Sequence, residues 1–150
     1  MISRYEVKDI SQLWTDQKRF ETFLKVELAL LKALETKKII PSGVAAAFKN
    51  VTINPTRILE IEEVTRHDVI AFCSSITEQV APDKARFFHF GVTSSDILDT
   101  ALVLQIRDSL LVVVGDMKLL LSALSEQVQK SKDLLCLGRS HGMNAEPMIF

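Results

Sequence analysis

Residues 95–131 decide the fold of this chain, and they read SDILDTALVLQIRDSLLVVVGDMKLLLSALSEQVQKS. The stretch contains no proline and only one weak helix former, Gly115, so it predicts a single helix of about 37 residues, about 55 Å long at 1.5 Å per residue. Its apolar residues recur at three- and four-residue spacing in a stripe formed by Leu102, Ile106, Leu110, Val113, Met117, Leu120, Leu124 and Val128. Further apolar residues flank this stripe, and we expect the partners that bury them in sequence beyond Phe150 and in other subunits of an oligomer.

Shorter helices are predicted before this long one. Thr15 is a candidate N-cap for an amphipathic helix, and Asn54-Pro55 is a second helix start. Pro82-Asp83 ends the last of these helices, and a connection follows at residues 86–92. The predicted helices span 15–38, 42–49, a segment from Pro55, and 69–80. The fold class is therefore all-α, with a small helical N-terminal domain at residues 1–93 and the start of a central helix bundle at 94–150.

The composition is that of a folded, helix-rich protein. Of 150 residues, 47% are hydrophobic and 25% are charged, with only 5 Gly and 4 Pro. A formal charge of −1 argues against nucleic-acid or anionic-membrane partners and favours a small-molecule ligand. The charged residues within the long helix argue against a membrane span. Met1 to Lys8 carries no signal-peptide pattern, and Cys73 and Cys136 are interpreted as reduced, packed thiols, so a cytoplasmic protein is expected.

Thr93-Ser94-Ser95-Asp96 precedes the long helix and has two interpretations. Hydroxyls and the unpaired N–H groups of a helix start can bind a carboxylate or phosphate, which the helix dipole also favours. Gly91 would let such a ligand approach the backbone closely. Alternatively, Thr93 or Ser94 is a plain N-cap.

Two further clusters carry cations and hydrogen-bonding groups. Arg66-His67-Asp68 combines a fixed cation, a titratable imidazole and a carboxylate, although a solvated charged turn has the same composition. Arg4-Tyr5 can hold a phosphate through a guanidinium and a phenol, or it is a frayed surface segment. His89, between two phenylalanines, is interpreted as a packed core histidine.

His141 lies in Arg139-Ser140-His141-Gly142, after the long helix and in a helix-poor stretch at residues 138–147 that is predicted to be a loop. Imidazole titrates near neutrality, so His141 is a candidate general acid, a role worth about 10²–10⁴-fold in rate. A metal site is not expected, because the three histidines lack the usual ligand spacing. A glycine-rich phosphate loop is absent from the sequence.

The order and spacing of these clusters resemble the adenylosuccinate lyase family of the fumarase/aspartase superfamily, from Met1 to Phe150. The residues that carry the resemblance are Arg4-Tyr5, Leu13-Trp14-Thr15-Asp16-Gln17, Thr65-Arg66-His67-Asp68-Val69, Gly91-Val92-Thr93-Ser94-Ser95-Asp96 and Arg139-Ser140-His141-Gly142. Ser140 stands where that family usually has threonine, and it keeps the hydroxyl.

The resemblance implies a carbon–nitrogen lyase of purine biosynthesis. Such enzymes release fumarate by β-elimination from adenylosuccinate, giving AMP, and from SAICAR, giving AICAR, without a metal or organic cofactor. By carry-over, Arg4 and Tyr5 hold the nucleotide phosphate, and Arg66, His67 and Asp68 line the nucleotide site. Thr93 and Ser94 grip the succinyl group, and His141 protonates the departing nitrogen.

The resemblance also implies a homotetramer in which each active site takes residues from three subunits. Its general base, a serine on a mobile loop, lies beyond Phe150, so the 150-residue chain is expected to hold half a site and to be inactive alone. Two alternatives remain open. One is another lyase of the superfamily, such as an argininosuccinate lyase or a carboxymuconate cycloisomerase. The other is a non-catalytic helical oligomerisation module.

Overall fold

The computed structural model describes residues 2–150 and confirms the all-α fold class. The chain divides into two compact units, with the division between Ser109 and Leu110. The domain boundary at residues 93/94 remains a prediction. After two short 3₁₀ turns and α1 (Lys8–Ser11), the helices are α2 (Asp16–Thr36), α3 (Val44–Ala47), α4 (Pro55–Thr65), α5 (Asp68–Thr77), α6 (Pro82–Ala85) and α7 (Ser94–Ser131). Among the described residues, no helix combines the length and the hydropathy needed to cross a membrane.

The predicted helix starts are confirmed by side-chain caps. Thr15 precedes α2, and its Oγ1 accepts the backbone N–H of Lys18 at 3.2 Å. Asn54 precedes α4, and its Oδ1 accepts the N–H of Arg57 at 3.2 Å, with Pro55 at the first helical position. Each cap satisfies one of the N–H groups that a helix start leaves without a partner inside the helix.

The core of the first unit is a cluster of phenylalanines on α2, α5 and the connections between helices. The rings of Phe20 and Phe72 stack with centroids 6.0 Å apart, and Phe23 meets Phe72 edge-on at 5.5 Å. Phe88 extends the cluster, with its ring centroid 4.9 Å from that of Phe48. Aromatic burial of this extent dominates the energetics of a small core.

The first turns of α7 close this core. Ile97 and Ala101 are buried against it, and they are followed on the same face by the buried amide of Gln105. The Gln105 amide donates to the carbonyl of Leu13 at 2.7 Å, and the indole N–H of Trp14 donates to Ser109 Oγ at 3.0 Å. These two hydrogen bonds fasten the N-terminal segment to α7.

The second unit contains the rest of α7 and an antiparallel hairpin of β1 (Leu135–Ser140) and β2 (Met143–Ile149). The prediction of a loop at residues 138–147 is therefore wrong. His141 and Gly142 form a two-residue turn with φ of 49° and 74°, the left-handed pair that type I′ hairpins require. Strand alternation is hard to see in the sequence because Gly138 accompanies an irregularity between Leu137 and Arg139, and because Pro147 interrupts β2.

Candidate functional site

His67 begins α5 as its N-cap residue. Its Nδ1 accepts the backbone N–H of Ile70 at 3.3 Å, so the ring supplies the cap that a serine or asparagine supplies elsewhere. Because Nδ1 accepts this hydrogen bond, the neutral ring carries its proton on Nε2. The backbone of α5 thus sets both the tautomer and the direction of the imidazole.

Ser94 begins α7 and lies beside this imidazole. Its Oγ is 3.5 Å from His67 Nε2, and both side chains are half-buried. With the tautomer set by Ile70, Nε2 is the donor and the serine oxygen accepts, at the long limit of a hydrogen bond. The hydroxyl hydrogen of Ser94 then remains free to donate to a ligand, which suits a carboxylate.

Thr93 occupies the start of α7 in a reciprocal arrangement with Asp96. The Thr93 N–H donates to Asp96 Oδ2 at 2.8 Å, while the Thr93 carbonyl accepts the Asp96 N–H at 3.0 Å. Gly91, with φ of 76°, makes the turn that leads into this helix start. The arrangement satisfies helix-start groups through the acidic side chain and leaves Thr93 exposed.

Arg66 and Asp68 flank His67 on opposite sides of the α4–α5 junction. Arg66 is exposed, and its backbone is left-handed, with φ of 53°. It is the C-cap residue of α4, and its N–H donates to the Glu62 carbonyl at 2.8 Å. Asp68 Oδ1 accepts the N–H of Val69 at 2.8 Å and lies 3.6 Å from His67 Nδ1. The junction therefore brings a cation, an imidazole and a carboxylate together at the beginning of α5.

Arg4 and Tyr5 lie in the first 3₁₀ turn, Ser3–Tyr5. The Arg4 guanidinium carbon is 4.9 Å from the centroid of the Tyr5 ring, within the range of a cation–π contact. Tyr5 is 68% exposed and Arg4 is also exposed, so both groups are accessible to an anionic ligand.

His141 belongs to the second unit, at the tip of the hairpin. Its side chain is exposed, and its backbone adopts the left-handed conformation that histidine tolerates better than most residues. The structure thus joins His67, Asp68 and Ser94 in the first unit and presents His141 on a separate, two-residue turn in the second. The role of His141 as an acid remains a prediction.

A buried cluster that was not predicted from the sequence lies beneath the connection that leads to α7. Glu27 is fully buried on α2, and its Oε1 lies 2.5 Å from Nδ1 of His89. Burial raises the pKa of the Glu27 carboxyl, although the hydrogen bond and charge of His89 act in the opposite direction. Cys73 lies within 4.8 Å of both groups, and burial, together with the negative charge of Glu27, raises the pKa of its thiol to about 12.

These three side chains offer metal-ligand atoms, but their arrangement fits a proton better than an ion. The 2.5 Å separation of Oε1 and Nδ1 is that of a hydrogen bond and leaves no space between the two atoms. A thiol with a raised pKa resists the ionisation that metal binding requires. The description of His89 as a packed core histidine is therefore incomplete, since its ring is paired with a buried acid.

One sequence signal could have identified Glu27. It falls between Phe23 and Leu31, at the four-residue spacing of the apolar face of α2, where a carboxylate is out of place. The helix at residues 15–38 was predicted from the apolar members of this face alone. Its partner, 62 residues away, could not be identified without the fold.

A family model and several curated relatives match this chain over nearly all of its length. A family model described as "Lyase" matches residues 4–150. An adenylosuccinate lyase of Synechocystis is 40% identical over all of this chain, which covers 35% of that relative. The adenylosuccinate lyases of Helicobacter pylori and Bacillus subtilis are 38% and 34% identical over all of this chain, which covers 34% and 35% of them. The chain thus spans about a third of the length of these curated relatives.

Solved structures resemble the chain with the same partial coverage. A fumarate lyase from a Mesorhizobium species superposes with a TM-score of 0.85 at 26% identity, over 94% of this chain and 34% of its own. A β-carboxy-cis,cis-muconate cycloisomerase from Acinetobacter calcoaceticus gives 0.85 and 26% over 97% of this chain and 36% of its own.

Proposed function

The chain belongs to the lyase family whose model matches residues 4–150, and from that membership we propose that the full-length protein is an adenylosuccinate lyase. In this proposal it splits adenylosuccinate into AMP and fumarate, and SAICAR into AICAR and fumarate. The observation that carries the proposal is the likeness, over the whole chain, to relatives named adenylosuccinate lyase. Because the chain spans a third of those relatives, the activity is proposed for the longer protein.

The elimination needs a base, an acid and donors for the charge that develops between them. A base removes the proton from the carbon next to a succinyl carboxylate, and that electron pair forms the double bond of fumarate. The carbon–nitrogen bond breaks, and the departing nitrogen takes a proton from His141. By resemblance, the base is a serine beyond Phe150.

The helix starts of the first unit supply the donors. Charge builds on the carboxylate beside the carbon that loses its proton, and fixed donors aimed at that position stabilise the transition state. Ser94 keeps a free hydroxyl hydrogen because it accepts from His67 Nε2, and it lies at the positive end of the α7 dipole. We assign Thr93 and Ser94 to the succinyl group, and Arg66, His67 and Asp68 to the nucleotide.

The accessible pair at the N-terminal turn is assigned to the phosphate. The guanidinium of Arg4 lies 4.9 Å from the centroid of the Tyr5 ring, and both side chains are exposed. Guanidinium and phenol are both donors to a phosphate oxygen. The test is Arg4→Gln, which should raise KM for adenylosuccinate more than it lowers kcat. Arg86→Gln is the matched control, because Arg86 is also exposed and its guanidinium carbon lies 4.6 Å from the centroid of the adjacent Phe87 ring.

A homotetramer in the cytoplasm completes the proposal. The apolar side chains of α7 beyond Ser109 are exposed within the described residues, which supports burial of this helix by other helices of an assembly. The four copies of α7 would contribute to a central bundle, and each active site would take residues from three subunits.

The deciding experiment measures fumarate release by the full-length protein offered adenylosuccinate and argininosuccinate in parallel. We expect release from adenylosuccinate alone. His141→Asn should lower kcat by about 10²–10⁴-fold, because it removes the acid while asparagine still tolerates the left-handed turn. Release from argininosuccinate would reassign the substrate, and release from neither would leave the fold with another reaction of the superfamily.

A further inference from the structure

Glu27 is the one fully buried acidic side chain among the described residues of the core. Its Oε1 is bonded to His89, but its Oε2 is buried and has no hydrogen-bond partner in the described part of the chain. Burying a carboxylate costs several kcal/mol unless hydrogen bonds and an opposite charge compensate it. An apolar side chain of similar size would pack in the same place at lower cost, so stability alone does not account for Glu27.

His89, the partner of Glu27, lies at a strained point of the backbone. Its φ is 60°, in the left-handed region that non-glycine residues seldom adopt. The side chain is 23% exposed, and Nδ1 points to the buried carboxylate. The short hydrogen bond thus anchors the backbone where it turns.

This turn delivers the helix start that carries the candidate site. Gly91, with φ of 76°, follows His89 by two residues, and Thr93 and Ser94 come after one further residue, Val92. Ser94 Oγ lies 3.5 Å from His67 Nε2, where the starts of α5 and α7 meet. A displacement of about 1 Å within an active site can cost about 10²-fold in rate, so the anchoring of this turn bears directly on catalysis.

We propose that Glu27 is a positioning residue of the lyase site, acting through His89: its buried carboxylate fixes the His89 ring and the turn that places Thr93 and Ser94 beside His67. The inference rests on the proposed function and adds to it a residue that does not touch substrate. It also explains why an acid stands on the apolar face of α2.

The test replaces Glu27 in the full-length protein with methionine, which is apolar and of similar length. Glu27→Met removes the buried carboxyl, including the oxygen that has no partner among the described residues, and His89, which is 23% exposed, can then bind water, so the melting temperature should change little. The kcat/KM for adenylosuccinate should fall about 10- to 100-fold. Glu27→Gln, which keeps an acceptor for Nδ1–H, should recover most of the loss. Thr22→Val, also buried on α2 and bonded only to its own helix at Lys18, is the control and should stay within about twofold of wild type.

A double-mutant cycle separates positioning from a general loss of structure. His89→Asn keeps a residue that tolerates the left-handed turn, and it should cost little more when Glu27→Met is already present. Additive losses would overturn the proposal, as would unchanged kcat/KM in Glu27→Met or activity that falls only in step with the melting temperature.

Amide hydrogen exchange gives a reading that does not depend on activity. In Glu27→Met, peptides spanning residues 86–96 should exchange faster than in wild type, while peptides within α2 should not change. Equal exchange at 86–96 would overturn the positioning role whatever the reaction proves to be. A wild-type protein inactive on adenylosuccinate, with faster exchange at 86–96 in the variant, would refute the proposed function and leave the anchoring role of Glu27 in place.

Discussion

Two stretches of the same helix behave in opposite ways. In α7, the turns up to Ser109 bury Ile97, Ala101 and Gln105 against the phenylalanine core. The turns from Leu110 onward are richer in apolar residues, yet their side chains are mostly exposed within the described chain, as Leu119 is at 71%. Apolar content therefore does not tell where a helix is buried by its own chain. The first stretch is covered by its own unit, and we propose that other helices of an assembly cover the second.

The largest effect should follow from placing a charge on the exposed stripe. In the full-length protein, Leu120→Glu puts a carboxylate into the bundle that we propose, once in each subunit, and each unpaired buried charge costs several kcal/mol. We expect the tetramer to dissociate and fumarate release to be lost, while helical circular dichroism is retained. Light scattering measures the assembly, and Gln127→Glu on the same helix is the control. An intact tetramer in Leu120→Glu would mean that this face is not an interface.

The next effect belongs to the core of the first unit. Phe72→Ala removes a ring that contacts Phe20, Phe23 and Phe88, and it should lower the free energy of unfolding by about 3–5 kcal/mol. Leu119→Ala, in the exposed stretch, should change the free energy of unfolding of the 150-residue chain by no more than about 0.5 kcal/mol. Urea titration followed by circular dichroism measures both. Similar losses of unfolding free energy in the two variants would contradict the difference in burial between the core of the first unit and the exposed stretch of α7.

The two units also differ in how far the sequence could predict them. The helix starts at Thr15 and Asn54 and the long helix follow from local rules of capping and periodicity, and they are found where expected. The hairpin around His141 was not predicted, because its two short strands contain Gly138 and Pro147 and show little alternation of apolar and polar residues. Strand pairing is decided between segments, and no single segment displays it.

The same difference between local signals and contacts of distant segments applies to the candidate site. The N-terminal position of His67 and Ser94 on their helices could be predicted, because polar residues at the start of an apolar pattern mark a cap. Their meeting at 3.5 Å required the fold, and so did the pairing of Glu27 with His89 across 62 residues. Pairwise geometry between distant segments was the missing information in both cases.

A smaller effect tests whether the first unit depends on its caps. Asn54→Ala removes the acceptor for the Arg57 N–H and should cost about 1 kcal/mol of unfolding free energy, because that N–H has no partner inside the helix. Asn50, an exposed asparagine in the turn before it, is the matched control, and Asn50→Ala should cost less than half as much. Equal costs for the two asparagines would show that the cap adds nothing beyond the loss of a polar surface group.

The smallest effect concerns an exposed ion pair that joins α4 to the end of α5, the two helices whose junction carries His67. The Arg57 guanidinium donates to both oxygens of Glu78 at 3.0 and 3.1 Å, and this hydrogen bonding lowers the pKa of the Glu78 carboxyl below its ordinary 4.5. A carboxyl whose pKa is lowered by folding stabilises the fold above its ordinary pKa, and this contribution is lost as the pH falls through the folded value.

Arg57→Gln should therefore reduce the loss of stability on acidification below about pH 4.5, by a small amount because both partners are exposed. Lys49→Gln, at an exposed position outside α4 and α5, removes the same charge from the first unit and is the control. Urea titrations at several pH values decide the matter, and identical acid slopes for wild type and Arg57→Gln would show that the pair adds nothing to the α4–α5 junction.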